Sequence, residues 1–368
     1  MVMVYTDPAR RHEFVLLFDV RDGNPNGDPD AGNMPRIDPE TMYGLVTDVA
    51  LKRKVRDYVS GVLNIPIFIQ SRTTLNTLIR EAFESVGYVP PGIDLDPEEL
   101  DDQDLVEWLQ EKGDVGFSVD GKRLLYSGES RNRRDIQREL TDGLPEEHQQ
   151  LRQKLTRIAR RLGDVLNKGA GQVSAREKQE DARKELCRKY YDIRIFGAVL
   201  STGLNAGQVR GPVQFTFART VDPIQPLDLT ITRQARTNTV RMGKKGNAEM
   251  GRKPVVPYGL YRAHGYFNPY LAKETGVTTQ DLETLWDALQ NLFEFDRSAA
   301  RGEMHVRGLI VFTHDNPKGN APAHKLFDLV TVRRRDGVSV PRGYHDYAVV
   351  IHRDDLPPGV TLSVLVEP

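Results

Sequence analysis

The sequence is short of several things, and each shortage narrows what it can be. It has one cysteine, Cys187, in 368 residues. That excludes an intramolecular disulfide framework and fits a reducing cytoplasm. No apolar run approaches the roughly 18 residues of a membrane span. The opening MVMVYTDPARRHE has no apolar core of the kind a secretory leader needs. Neither sign of charge dominates: 51 Lys and Arg face 52 Asp and Glu, a net charge of −1. The eight histidines lack metal-ligand spacing. No G-x-S-x-G, Walker A or H-E-x-x-H pattern occurs, and Cys187 has no evident histidine partner. These gaps point away from a cofactor and from the common catalytic centres. The length still suits two domains or one elaborated domain, and 39% hydrophobic residues can build a core.

What is present is charge sorted along the chain. Residues 94–111 carry nine acids and no Lys or Arg, whereas residues 233–257 carry seven basic residues and one acid. A local basic patch attracts polyanions even when the total charge is near zero. The acidic run reads most simply as a solvated surface. The basic run is broken by glycines, prolines, Met242 and Met250, which suits a long functional loop.

Periodicity supplies a coarse architecture. EFVLLFDV at 13–20 reads as a buried strand, followed by a Gly-, Pro-, Asn- and Asp-rich loop. A helix is expected over about 43–60, with Leu51, Val55, Tyr58, Val59 and Val62 on one stripe. Residues 61–190 read as an insertion with helices near 74–86, 97–111, 146–168 and 174–190 and an Arg-rich loop at 130–138. Strands are expected at 193–200, 212–219 and 227–232. A helix follows at 278–294, then strands near 305–313, 326–333, 347–352 and 360–366. Without insertions the order is strand, helix, strand, strand, helix, strand. That is an α+β chain with a modified RRM or ferredoxin-like core.

Three features bear on chemistry. Asp22, Asn24, Asn26, Gly27 and Asp30 occupy calcium-loop positions, but Asn33 stands where a bidentate Glu is needed. A turn scaffold built on Asx-turns and glycines is the simpler reading. The same loop's Asp22 and Asp28 leave open a metal-dependent ribonuclease. On the first helix Lys52, Arg53 and Arg56 lie opposite the apolar stripe, and Lys52 and Arg56 are one turn apart. That is a phosphate grip or an ordinary solvated face. In GQVRGPVQF, Arg210 stands at the mouth of a strand and Gly211 permits a close backbone approach.

The runs FDVRDGNPNGDPDAGNMPRIDPET and GLVTDVALKRKVRDYV, then YYDIRIFGAVLSTG, VRGPVQF, GRKPVVPYGLYRAHGYFNP and DRSAARGEMHVRGLIVFTH, carry a resemblance. The chain is similar to the repeated backbone subunit of type I-C CRISPR surveillance complexes, in the RAMP superfamily. The resemblance implies an RRM-like palm (1–60, 191–220 and 259–368), a finger insertion (61–190) and a thumb (221–258). It implies copies stacked head to tail along a guide RNA (crRNA), which pairs with target DNA. A guide-processing subunit, a large subunit, a small subunit and a recruited helicase–nuclease would be the other partners. By the same resemblance Arg21, Lys52, Arg53 and Arg56 would grip the guide, with Asn24 and Asn26 in the adjoining loop. Arg210 and Gly211 would approach it from the GPVQF turn, and Arg233, Arg236, Arg241 and Met242 from the thumb. Sequence reading is then left to base pairing, so phosphate contacts suffice and no catalytic site is required. A monomeric RNA-binding module remains the other alternative.

Overall fold

The computed structural model describes residues 3–128, 130, 132–168, 175–201, 204–233 and 249–368. It is an α+β chain built as two compact units, Met1–Ile65 with Pro212–Pro368, and Pro66–Gly211. No helix among the described residues is long and apolar enough to cross a membrane.

The first unit is organised on one antiparallel sheet. Its main elements are β1 (His12–Gly23), β2 (Tyr43–Val46), α1 (Asp48–Gly61), β3 (Val213–Phe215), β4 (Ala218–Pro223), β5 (Leu227–Arg233), β6 (Glu249–Phe267), α2 (Thr279–Gln290), β7 (Glu303–His314) and β8 (Val360–Val366). The sheet runs β8-β7-β1-β6-β4-β2, with β3 and β5 also pairing with β6. Every residue of β1 from His12 to Val20 is buried, because both faces of the sheet are covered. On one face Phe14 meets Trp286 of α2 edge-on at 5.2 Å, and Phe18 stacks on Tyr261 at 5.1 Å. On the other, Val15 and Leu17 pack with Ile310, Phe312, Leu326 and Phe327. Double coverage explains why this strand reads as a continuous apolar run rather than an alternating one. Each large side chain so buried contributes about 2 kcal/mol.

The start of β1 carries a buried polar cluster that fixes a protonation state. His12 is fully buried beside Phe267 and Trp286. Its Nε2 lies 2.9 Å from the Asp7 carbonyl, which can only accept, and its Nδ1 lies 3.0 Å from the Thr313 hydroxyl. The ring is therefore a neutral Nε2–H tautomer, donating to Asp7 and accepting from Thr313. Burial pulls its pKa down to about 4. His264, stacked on Phe327 at 4.1 Å, is likewise lowered to about 4 by burial and then by Arg262. In the unfolded chain both titrate near 6.5, so the unfolded state binds more protons between pH 6.5 and 4. Stability is full above that window and falls as pH drops through it. His12 alone should withdraw about 3 kcal/mol by pH 4. Urea melts at pH 7 and pH 5 should show the loss. His12→Gln, which keeps a donor and an acceptor, should show a smaller difference between the two.

The second unit has two cores. One joins the helices Leu75–Ser85 and Ala175–Lys189 through Leu78, Ile79, Phe83, Ala182 and Leu186. The other packs a three-stranded sheet (Gly92–Asp94, Phe117–Asp120, Arg123–Tyr126) with the helices Gln103–Glu111, Arg133–Thr141 and Gln149–Lys168.

Several elements depart from the sequence reading. Residues 43–46 form a strand, and α1 starts only after Thr47, whose hydroxyl accepts from Ala50 N. Leu45 could not join the helical stripe because it sits in that strand. Residues 191–196 form a helix rather than a strand: Asp192, itself buried, accepts from the backbone N–H of Phe68 and Ile69 at 2.6 and 3.1 Å. The helix ends at Gly197, whose φ of 77° suits glycine. Residues 191–211 cluster with the second unit. The Arg-rich stretch at 133–141 is a helix capped by Asn132. The later part of the expected basic loop is strand, since β6 begins at Glu249 and pairs with β5.

Candidate nucleic-acid interface

The loop after β1 is held by its own polar side chains. Asn24 is buried; its amide donates to the Asn33 carbonyl at 2.7 Å and its backbone N–H to Ala300 at 2.7 Å. The Asn26 side chain accepts from Thr47 N at 3.0 Å, which ties the loop to the start of α1. Asp28 accepts from Asp30 N and pairs with Arg36 at 3.0 Å. Asp22 and Asn33 adopt positive φ. These engagements are those of a turn scaffold that orients α1. Arg21, at the end of β1, reaches Glu303 at 3.2 Å and the Arg342 carbonyl at 3.0 Å.

The helical stripe divides by exposure. Arg53 is 49% exposed and pairs with Asp57 at 2.6 Å. Lys52 is partly buried, its ammonium 3.1 Å from Asp48 and 3.0 Å from the Gln214 amide oxygen. Arg56 is only 9% exposed. Lys54, outside the expected grip, turns inward to Asp296. Burial draws its ammonium below the usual lysine range, against the opposing pull of Asp296. Arg53 is thus the cation of the stripe whose neighbour is most readily exchanged, because exposed i,i+4 pairs contribute only about 0.3–0.5 kcal/mol, while Lys52 keeps its ammonium at the margin beside Gln214. The sequence reading did not single out Gln214 and Arg219, which are both exposed, on β3 and β4. Arg219 pairs with Asp38 at 3.2 Å. The signal was available for Gln214, since Val213 and Phe215 alternate with it.

Arg210 is exposed on the short strand Gln208–Arg210, opposite Gly197. Gly211 is buried, and its close neighbour is this chain's own backbone. A Cβ at Gly211 would sit 2.0 Å from the Phe196 carbonyl carbon and 2.3 Å from Gly197 N. The glycine thus serves an internal crossing of two backbone segments, not an open edge. Arg233 ends β5 opposite Glu249. Arg236, Arg241 and Met242 lie outside the described residues. Along the β5–β6 ribbon Leu227, Leu229 and Ile231 share one face, each more than 40% exposed. A hollow of about 620 Å³ at the ribbon's root is lined by Met34, Met42, Leu45, Phe217 and Pro226.

The arrangement is one of exposed basic groups beside a turn scaffold. Among the described residues no group of three or more His, Cys, Asp or Glu could hold a metal ion. In the first unit basic groups lie at the start of α1 and on the β5–β6 ribbon; in the second, Arg210 lies on the strand Gln208–Arg210.

Known proteins resemble the chain to different extents. A CRISPR-associated protein Cas7 of Haloferax volcanii is 51% identical over 47 residues, which is 13% of this chain and 14% of that relative. Among solved structures, a chain of a "CRISPR RNA-guided surveillance complex, pre-nicking" aligns over 82% of this chain and 78% of its own length, with 16% identity and a TM-score of 0.44. A chain of a "CRISPR RNA-guided surveillance complex" aligns over 82% and 75%, with 13% identity and a TM-score of 0.37. The model of one family, "CRISPR-associated protein Cas7", matches residues 10–120 and 125–352. By that match across most of its length, the chain belongs to the Cas7 family of CRISPR-associated proteins.

Proposed function

We propose that this chain binds a guide RNA as one of several identical copies stacked head to tail, forming the backbone of an antiviral CRISPR surveillance complex of the type I-C kind. The family match over residues 10–120 and 125–352 carries the reading. The β7-β1-β6-β4 order, with α1 and α2 as crossovers, supports an RRM-like palm. The β5–β6 ribbon and the second unit are then the thumb and the finger. The open face of a usual RRM sheet is filled here by Leu326 and Phe327 over Val15 and Leu17. Base stacking on that part of the sheet is therefore replaced by phosphate contacts at its margins.

In this reading Lys52 and Arg53 grip the guide backbone beside Gln214, while Arg21, Arg56 and Arg210 extend the track. Arg233, Arg236, Arg241 and Met242 cross the guide from the thumb, and Asn24 and Asn26 set the loop that aims α1. Sequence recognition falls to pairing between guide and target DNA. Catalysis is left to partners: a guide-processing subunit and a recruited helicase–nuclease, with large and small subunits completing the cytoplasmic assembly. A heterologous contact that does not close into a ring extends as far as its template. The number of copies bound per RNA should therefore rise with RNA length, and a fixed single copy would refute the reading.

A further inference from the structure

The second unit carries two oppositely charged faces that its own contacts leave unmatched. The helix Gln149–Lys168 buries Leu155, Ile158, Leu162 and Leu166. On one flank Arg161 pairs with Glu99 at 2.8 Å and Lys154 with Asp102. On the other, Thr156 accepts from Gln137 at 3.2 Å and Asp164 pairs with Arg133. Between these flanks, Arg157 and Arg160 fall on the remaining, exposed arc, joined by Arg134 of the neighbouring helix. None of these three has a side-chain partner among the described residues. The helix Gln103–Glu111 turns Leu105 and Leu109 into the same core and fixes itself by Trp108 Nε1 donating to the Leu140 carbonyl at 2.7 Å. Its outer stripe is Asp104, Glu107 and Glu111, at i, i+3 and i+7, all exposed and likewise unmatched.

We infer that the arginine face of Arg134, Arg157 and Arg160 receives the acidic stripe of Asp104, Glu107 and Glu111 from a second copy of this chain. Charge complementarity selects this occupant. Both faces belong to helices locked into one core, so they cannot reach each other within a chain. Asp164 and Asp135 lie within or beside the arginine face, which suits a protein surface of mixed charge better than a nucleic-acid backbone, every unit of which is anionic. No exposed aromatic residue interleaves these arginines to stack an unpaired base. The contact joins two different faces and so repeats from copy to copy. The inference rests on the head-to-tail reading above and specifies where its copies meet.

The test is charge reversal, read as the protein concentration needed to fill a long single-stranded RNA. Arg134→Glu/Arg157→Glu/Arg160→Glu and Asp104→Lys/Glu107→Lys/Glu111→Lys should each raise that concentration about tenfold or more at low salt, as several lost surface pairs would. The chain carrying all six reversals should recover, as should an equimolar mixture of the two triple variants. Binding of one copy to an RNA too short for two should not change. Circular dichroism would establish that each variant is folded. Wild-type-like filling by both triple variants, or failure of the six-fold variant to recover, overturns the inference. So does a loss of short-RNA binding confined to the arginine variant, which would assign that face to nucleic acid. A wild-type chain that binds as a single copy whatever the RNA length would overturn the head-to-tail reading itself, a different and separable result.

Discussion

Gly211→Ala should destabilise the second unit by about 3 kcal/mol, the upper range for forcing a group into filled space. The added methyl would overlap the Phe196–Gly197 peptide, where the nearest atoms are backbone at 2.0 and 2.3 Å and cannot turn aside as a side chain would. Gly197 faces the same crossing: a Cβ there would lie 2.4 Å from Gly211 N, and its φ of 77° adds a second demand for glycine. The neighbouring Arg210 is exposed and provides the contrast. Arg210→Ala should change stability by less than about 0.5 kcal/mol while weakening RNA binding. Thermal melts and RNA titrations of the two variants separate the roles. An unaltered melt for Gly211→Ala together with lost RNA binding would mean that the glycine accommodates the ligand rather than the chain.

Lys52→Ala/Arg53→Ala should leave the fold intact and weaken RNA binding about a hundredfold at low salt, since a hydrogen bond to a charged group contributes about 1.5 kcal/mol or more. Both side chains have present partners, Asp48 and Gln214 for Lys52 and Asp57 for Arg53. A phosphate can replace the exposed Asp57 carboxylate beside Arg53 at small cost, and can displace the neutral Gln214 amide from Lys52. The slope of log affinity against log salt should fall in magnitude by about 0.7 for each contact removed, or about 1.4 in all. Fluorescence anisotropy across a salt series measures it. An unaltered slope would show that this end of α1 does not touch RNA. Arg56 is unsuited to the same test because, at 9% exposure, its removal also disturbs packing.

Elements with one buried face were legible in the sequence. Val213 and Phe215 alternate with Gln214, and α2 shows Leu282, Leu285, Trp286 and Leu289 at helical spacing behind the Thr278 cap. Elements buried on nearly all sides were not. Tyr191–Phe196 has only Arg194 outside the buried class, so no period distinguishes helix from strand. The opposite case also hides: Arg133–Thr141 buries only Ile136 and Leu140, and its charge masks the helix. For the interface, residue types were legible but engagement was not. Arg53 and Arg56 look alike in the sequence, yet one is exposed and the other nearly covered. Gly211 was read as a place where another chain or a ligand could approach, whereas the backbone it meets is its own.

Native mass spectrometry of the chain loaded on single-stranded RNAs of graded length tests the central claim most directly. The account predicts several copies per RNA, increasing in regular steps as the RNA lengthens, without RNA cleavage. A single copy at every length, or metal-dependent shortening of the RNA that Asp22→Ala or Asp28→Ala abolishes, would contradict it.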